Sequence, residues 1–245
     1  MNNELLEISG KGNLVITAPH TIYLKRGKEV HIPENNLKII LKKLLKKLGE
    51  KNVKTITWNM EPDKKKTIHD DPNYLYHKKL ETNIWYQTLK NITQNKPKKF
   101  LIDIHGMNNT HKYDIIIGLK SLHKLYGEYQ YRKILSVIIE FFENFKEKYD
   151  LRIGYNIIFK GYISKDYYTI SHISNSLGIK GIQMELSTLF REKLVKDKYI
   201  FRDFSKCLLN IYSKFCNKKV NSKKNVRLNK NKNSQKSSKS KKSKK

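Results

Sequence analysis

Polar side chains recur where short apolar runs of the chain end. His20 follows the run 13–18, Asp103 and His105 close the run that starts at Phe100, and Glu185 closes 181–185. Two residues apart on a strand, Asp103 and His105 point to the same face. A carboxylate beside a metal-binding histidine orients the imidazole through its far nitrogen, which is the chemistry this pair suggests for Asp103. Glu185 is embedded among apolar residues, where an unpaired carboxylate is costly. Its burial calls for a partner, either a cation or a metal. Two histidines and one carboxylate, with water in the remaining position, make the ligand set of catalytic zinc hydrolases. A further carboxylate then serves as base. The sequence offers His20, Glu34 and His105 as ligands and Glu185 as the base. Spacing alone permits this assembly and does not select it.

Those residues need a scaffold that carries three strand ends to one rim. Strands are expected at 13–18, 51–58, 100–104, 114–119, 155–159 and 181–185, the third of the continuously apolar kind found in sheets covered on both faces. Between them, Leu37, Ile40, Leu41, Leu44, Leu45 and Leu48 recur at helical spacing with lysines on the opposite side. Pro33 and Glu34 fit the first turn of that helix, and Gly49 ends it. Further helices are expected at 76–91, 129–149 and 201–215. Such alternation argues for an α/β fold, a three-layer sandwich in which a mostly parallel mixed sheet is covered by helices on both faces. In open α/β sheets ligands bind outside the carboxyl ends of the strands, where these polar groups fall.

Charge narrows the class less than its size suggests. The 245 residues include 51 Lys or Arg and 22 Asp or Glu, a formal net charge of +29. Residues 217–245 hold 13 of the cations and no acid, which leaves 38 cations against 22 acids, near +16, in residues 1–216. Only six of the 51 are arginines, a bias that an AT-rich genome alone produces. We expect residues 1–216 to form a single α/β metallohydrolase-like domain. Residues 217–245, rich in Lys, Ser and Asn, are expected to be a disordered basic tail, because they cannot bury enough apolar surface to offset ordering entropy. Hydrophobic residues make up 38% of the chain, enough with this patterning to exclude collagen-like, coiled-coil and wholly disordered classes. No apolar stretch approaches the roughly 20 residues of a membrane span. The amino terminus lacks the basic and apolar regions of a signal peptide, so a cytoplasmic protein is expected, with nuclear or virion association suggested by the basic tail. Cys207 and Cys216, on opposite faces of one helix, are expected to be reduced thiols.

Five motifs occur in an order that resembles the N-formylglutamate amidohydrolase family, relatives of the zinc carboxypeptidases. They are Pro19-His20, Asp71-Pro72-Asn73, Ile102-Asp103-Ile104-His105-Gly106, Phe159-Lys160-Gly161 and Gln183-Met184-Glu185. The resemblance spans about residues 14–191, most of the chain before the tail. It implies an α/β sandwich, one divalent metal ion, zinc, and hydrolysis of an amide. By position it makes His20 and His105 metal ligands, Glu34 the acidic ligand with Glu29 as fallback, Glu185 the catalytic carboxylate and Asn73 a substrate contact. Asp71, otherwise a turn former, becomes a site neighbour through Asn73 and is expected with it to contact substrate. Two departures stand out. Thr21-Ile22 follow His20 where the family often has Ser-Gly, and Tyr74 follows Asn73 where it often has Arg. An Arg there would suit a substrate carboxylate; Arg191 and Arg26 are candidates to replace it.

The expected function is therefore a zinc-dependent amidohydrolase acting on an N-acyl amino acid or peptide. A zinc peptidase or deacylase of other specificity is its near alternative. A distinct alternative is a nucleic-acid-associated protein, since 13 cations in residues 217–245 suit non-specific, salt-dependent binding to phosphates. His31, His69, His77, His111 and His172 rank below the motif histidines as site residues. The lysine face of 37–48 is expected to be the solvated side of a buried helix.

Overall fold

A computed structural model of the chain describes residues 5–66, 69–94, 98–156 and 158–216. The expected basic tail and its nucleic-acid role fall on residues 217–245, outside the described residues. The strands are β1 (Leu6–Ser9), β2 (Leu14–Ala18), β3 (Leu24–Arg26), β4 (Glu29–His31), β5 (Val53–Trp58), β6 (Leu75–Tyr76), β7 (Phe100–Met107), β8 (Ile115–Gly118), β9 (Ile153–Tyr155), β10 (Tyr167–Tyr168) and β11 (Lys180–Ser187). The helices are α1 (Leu37–Leu48), α2 (Ile84–Thr93), α3 (Lys120–Tyr149), α4 (Ile170–Ser176), α5 (Thr188–Lys196) and α6 (Lys198–Cys216). Seven strands form one sheet in the order β1-β5-β2-β7-β11-β8-β9. Its centre, β5-β2-β7-β11, is parallel, while β1 and β8 pair antiparallel with their inner neighbours. The α/β sandwich expected from the sequence is the fold observed.

Alternation along the central strands decides what each face holds. Ile16, Phe100, Ile102, Ile104, Ile182 and Met184 join one apolar core with residues of α1, α3, α5 and α6. Leu37, Ile40, Leu41, Leu44 and Leu48 are the buried side of α1 in that core. Each such side chain contributes about 1.5–3 kcal/mol on full burial. Val15, Ile56 and Leu101 face the other way, against Trp85 and Leu89 of α2 and Ile170 and Ile173 of α4. That second core fills only the amino half of its face. The carboxyl half carries polar side chains instead.

Several expectations at the periphery are corrected. Helix α1 begins at Leu37, so Pro33 and Glu34 precede it in a loop, and Asn36 takes the left-handed conformation at its start. The stretch 76–91 is not one helix. It comprises the end of β6, a 3-10 segment at His77–Thr82 and α2, which starts anew because the Asn83 side chain accepts from the N–H groups of Trp85 and Tyr86. The strand expected at 155–159 is β9 and ends at Tyr155. There the backbone turns through left-handed Asn156, whose Oδ1 accepts from Leu119 N–H at 2.6 Å. Helix α3 extends upstream of 129 across a kink at Gly127, where φ is 77°. Cys207 and Cys216 are both free thiols. Among the described residues no helix is long and apolar enough to cross a membrane.

Candidate metal centre

Three adjacent strands bring the polar groups together. Parallel pairing sets Thr17 beside Asp103, Gln183 beside Asp103, and Glu185 beside His105. All five side chains therefore share the face whose amino half is apolar. His20 lies just beyond β2, where Trp58 Nε1–H donates to the Pro19 carbonyl at 2.7 Å. The His20 carbonyl accepts from Glu34 N–H at 2.8 Å, which brings the loop before α1 over the strand ends.

One ligand atom from each of His20, Glu34 and His105 lies within 4.8 Å of the other two. The imidazole Nδ1 atoms of His20 and His105 face each other at 3.0 Å, and Glu34 Oε1 lies 2.8 Å from His20 Nδ1. Behind the rings, His20 Nε2 is 2.9 Å from Asp71 Oδ1 and His105 Nε2 is 2.8 Å from Asp103 Oδ2. Both aspartates are completely buried. An ionised carboxylate only accepts, so towards its aspartate each Nε2 donates and each Nδ1 turns a lone pair inward, although at His105 the Nε2 also lies 2.8 Å from Asn73 Nδ2. Three acceptors then converge on one point. Such an arrangement requires a cation there, whether an added proton or a metal ion.

The electrostatics agree with that geometry. Burial alone would lower the His20 pKa, but Asp71 and Glu34 outweigh it and hold it well above the ordinary imidazole value. His105 is likewise raised, with Asp103 overcoming burial. Glu34 and Asp71 sit well below the usual carboxylate range because neighbouring charges and hydrogen bonds, led by His20, overcome their burial. Glu185 goes the other way: burial is the main cause that lifts its pKa above the carboxylate norm, with Glu34 adding to it.

Each supporting residue has a defined place. Asp71 is held by Arg26, whose Nε donates at 2.7 Å, and by Asn73 N–H at 2.8 Å. Asp103 receives Thr17 Oγ1–H at 2.6 Å and Asn73 Nδ2–H at 3.2 Å. The Asn73 amide is fixed from its other side by Ile170 N–H, 2.6 Å from Oδ1. A cavity of about 340 Å³ opens above these groups. His20, Glu34, His105, Asn73 and Glu185 line it, together with Arg26, Lys160 and Gln183. Its wall at Phe159–Ile163 approaches the sheet so closely that a Cβ on Gly118 would lie 2.4 Å from the Phe159 carbonyl oxygen.

Asp71 and Arg191 are placed differently from the substrate contacts expected of them. Asp71 lies behind His20, outside the cavity lining. Arg191 is buried beneath Gly106 and donates to three main-chain carbonyls: Asn35 at 2.9 Å, Met107 at 3.2 Å and Leu186 at 2.5 Å. A Cβ at Gly106 would come within 2.2 Å of Arg191 Nη1, so glycine is what admits the guanidinium. Arg191 thus ties the ends of β7 and β11 to the residue after Glu34, while Glu34 Oε2 accepts from Gly106 N–H at 2.6 Å. The fallback Glu29 is exposed on β4.

Two neighbours were underrated by sequence. His31 lies with its ring 4.0 Å from that of His20 and its Nε2 3.2 Å from Glu34 Oε1. The β3–β4 hairpin that delivers it is short and carries no strong periodicity. Gln183 was visible by the same two-residue rule that paired Asp103 with His105, since it shares a face with Glu185. His69 stacks on Trp58, His77 faces Asp166, His111 packs against Phe159 and His172 against Tyr168, all outside the cavity lining.

No family model matches the sequence, and no curated protein matches it. Solved structures similar to this chain include a bacteriophage poly-gamma-glutamate hydrolase, at 12% identity and TM-score 0.49 over 84% of this chain and 86% of that one. A zinc-free apo form of YNDL is similar at 13% identity and TM-score 0.48, over 86% of this chain and 91% of that one. N-formylglutamate amidohydrolase from Ralstonia eutropha JMP134 is similar at 8% identity and TM-score 0.47, over 85% and 96%. At such identities, with TM-scores below 0.5, these likenesses carry no chemistry over to this chain.

Proposed function

We propose that this protein is a zinc-dependent amidohydrolase of the N-formylglutamate amidohydrolase type, cleaving an N-acyl amino acid or a related peptide amide. The observation that carries the reading is the convergence of His20 Nδ1, His105 Nδ1 and Glu34 on one point, each imidazole backed by a buried aspartate. Two nitrogens, one carboxylate and an open cavity on the remaining side suit a catalytic zinc site rather than a closed structural one. A divalent ion bound there supplies Lewis acidity and lowers the pKa of water to about 7.

The chain's own residues then divide the work. Asp71 and Asp103 hold the histidine tautomers that expose Nδ1, and Arg191 fixes the loop that presents Glu34. Glu185, in the same cavity and with its proton affinity raised by burial, is suited to act as a general base. It takes a proton from the attacking water as the C–O bond forms, and returns it to the nitrogen as the C–N bond breaks. The products are a carboxylic acid and an amine. Asn73, the substrate contact that the family resemblance implies, lines the cavity with its amide anchored on Asp103, His105 and Ile170. Lys160 gives the cavity a cationic group suited to the carboxylate of an acyl amino acid, where the family's Arg is replaced by Tyr74, while Arg26 in the same lining is paired with Asp71.

The test is metal analysis of the purified full chain together with amine release from a panel of N-acyl amino acids with added zinc. We expect about one ion per chain. Glu185→Gln should slow amine release by about 10²-fold or more with metal content unchanged. Absence of stoichiometric divalent metal, or unchanged metal content in His105→Ala, would sink the reading.

A further inference from the structure

The side chain of Gln183 is the least satisfied polar group around the cavity. It lies on β11, hydrogen-bonded on both edges to β7 and β8, and is 7% exposed. Its Nε2–H donates to Glu185 Oε1 at 2.6 Å. Its Oε1 is buried and has no partner among the described residues. Turning the amide over would set this oxygen against the Glu185 carboxylate, two acceptors facing each other, so Glu185 fixes which end points away. The hydroxyls of Thr169 and Ser171 have partners of their own, since each lies 3.0 Å from the Gly161 carbonyl and 3.0 Å from the other. The base of the side chain is packed against the cavity wall, since a Cβ at Gly161 would lie 3.1 Å from Gln183 Cβ.

An unpaired buried acceptor is costly, and such groups are rare in folded proteins. Of the unpartnered buried side-chain atoms among the described residues, this one lines the candidate cavity. Its donor therefore arrives from the cavity. We propose that Gln183 determines substrate specificity by accepting the N–H of the scissile amide on Oε1 while Nε2 holds Glu185. This rests on the amidohydrolase reading and deepens it. Glu185 delivers its proton to the departing nitrogen, so the acceptor two residues away on the same face lies where that nitrogen must sit. The substrate class follows: secondary amides, which carry one N–H, in preference to N-alkylated amides and esters, which carry none.

A site built to bond an N–H discriminates strongly against analogues that lack it, because its own polar group is then left unpaired. For a cavity open to water we expect the zinc-loaded full chain to favour N-acyl amino acids over their N-methyl counterparts by about 10²-fold in kcat/KM. Gln183→Met keeps the volume and removes both polar ends. It should collapse the ratio toward one, with the rate on the N-methyl amide and on the matching ester falling much less than the rate on the N–H amide. Equal losses on all three substrates would mean that Gln183 only holds Glu185, and would overturn the proposal. Calorimetry on metal-free wild-type protein gives a second reading that needs neither turnover nor a folded variant. An N-acyl amino acid should bind at least about 10-fold tighter than its N-methyl analogue. Equal binding, or no binding of either, overturns the N–H readout. Failure of the amidohydrolase reading shows separately, as absence of bound metal.

Discussion

The two faces of β7 are equally inaccessible to water and opposite in what burial does for them. Ile102 and Ile104 on one face and Asp103 on the other are all 0% exposed, and His105 is 2%. The isoleucines are stabilised simply by leaving water, at about 25 cal/mol per Å². Asp103 and His105 gain nothing from it and remain only because Thr17, Asn73 and each other satisfy them. A strand that alternates between these regimes shows how one sequence segment serves stability on one side and chemistry on the other. The polar side is held by the apolar one.

Neighbouring substitutions break that comparison most sharply. Ile104→Ala should cost about 2–5 kcal/mol, read as a fall in unfolding free energy, while the folded fraction keeps its metal affinity. His105→Ala should do the reverse: zinc affinity falls by more than about 100-fold, and stability without metal changes by less than Ile104→Ala changes it. Denaturant unfolding and zinc titration of both variants check this. If both lose stability and metal to the same degree, the faces are not functionally separate.

A smaller effect sharpens it. Asp71→Asn and Asp103→Asn keep shape but remove the charge that holds each Nε2–H. Each should weaken zinc binding by about 10–100-fold, since carboxylates behind metal-binding histidines raise ligand basicity. Asp71 also carries Arg26, so its loss frees a cation at the cavity edge. Metal titration of the two variants then tells whether both carboxylates orient ligands or only one does.

The parts that were legible from sequence are those where local pattern and long-range role coincide. The apolar run from Phe100 gave the strand, the two-residue period gave the shared face of Asp103 and His105, and the apolar spacing of 37–48 gave the buried side of α1, whose start was expected a turn earlier, at Pro33 and Glu34. Glu34 was named for the right neighbourhood with the wrong element, because nothing local says that its backbone N–H bonds to His20 rather than starting a helix. Arg191 was named as a candidate substrate group because Tyr74 stands where the family often has Arg. Two of its three carbonyl partners, Asn35 and Met107, come from residues distant in sequence, which local reasoning cannot supply. Edge strand β1 and hairpin β3–β4 are short and half exposed, so their pattern is weak.

The smallest effect belongs to a histidine that shares the buried setting of His20 and His105 and lacks their carboxylates. His172 stacks on Tyr168 at 4.1 Å with an interplanar angle of 12°, with Tyr162 at 5.1 Å, and its Nδ1 has no partner among the described residues. Burial, with a smaller contribution from Lys124, pushes its pKa down to about 4 from the ordinary 6.5. Between those values the unfolded chain binds a proton that the folded chain refuses, so acid favours unfolding. The stability it contributes is complete above about pH 6.5 and is lost as pH falls toward 4. His172→Phe preserves the stack and removes the titration. Discounted for partial solvent screening, the variant should be more stable than wild type by about 1 kcal/mol at pH 5, relative to their difference at pH 7. Denaturant unfolding at the two pH values checks it. A constant difference between variant and wild type would show that His172 titrates normally, and that buried histidines here need no carboxylate to stay charged.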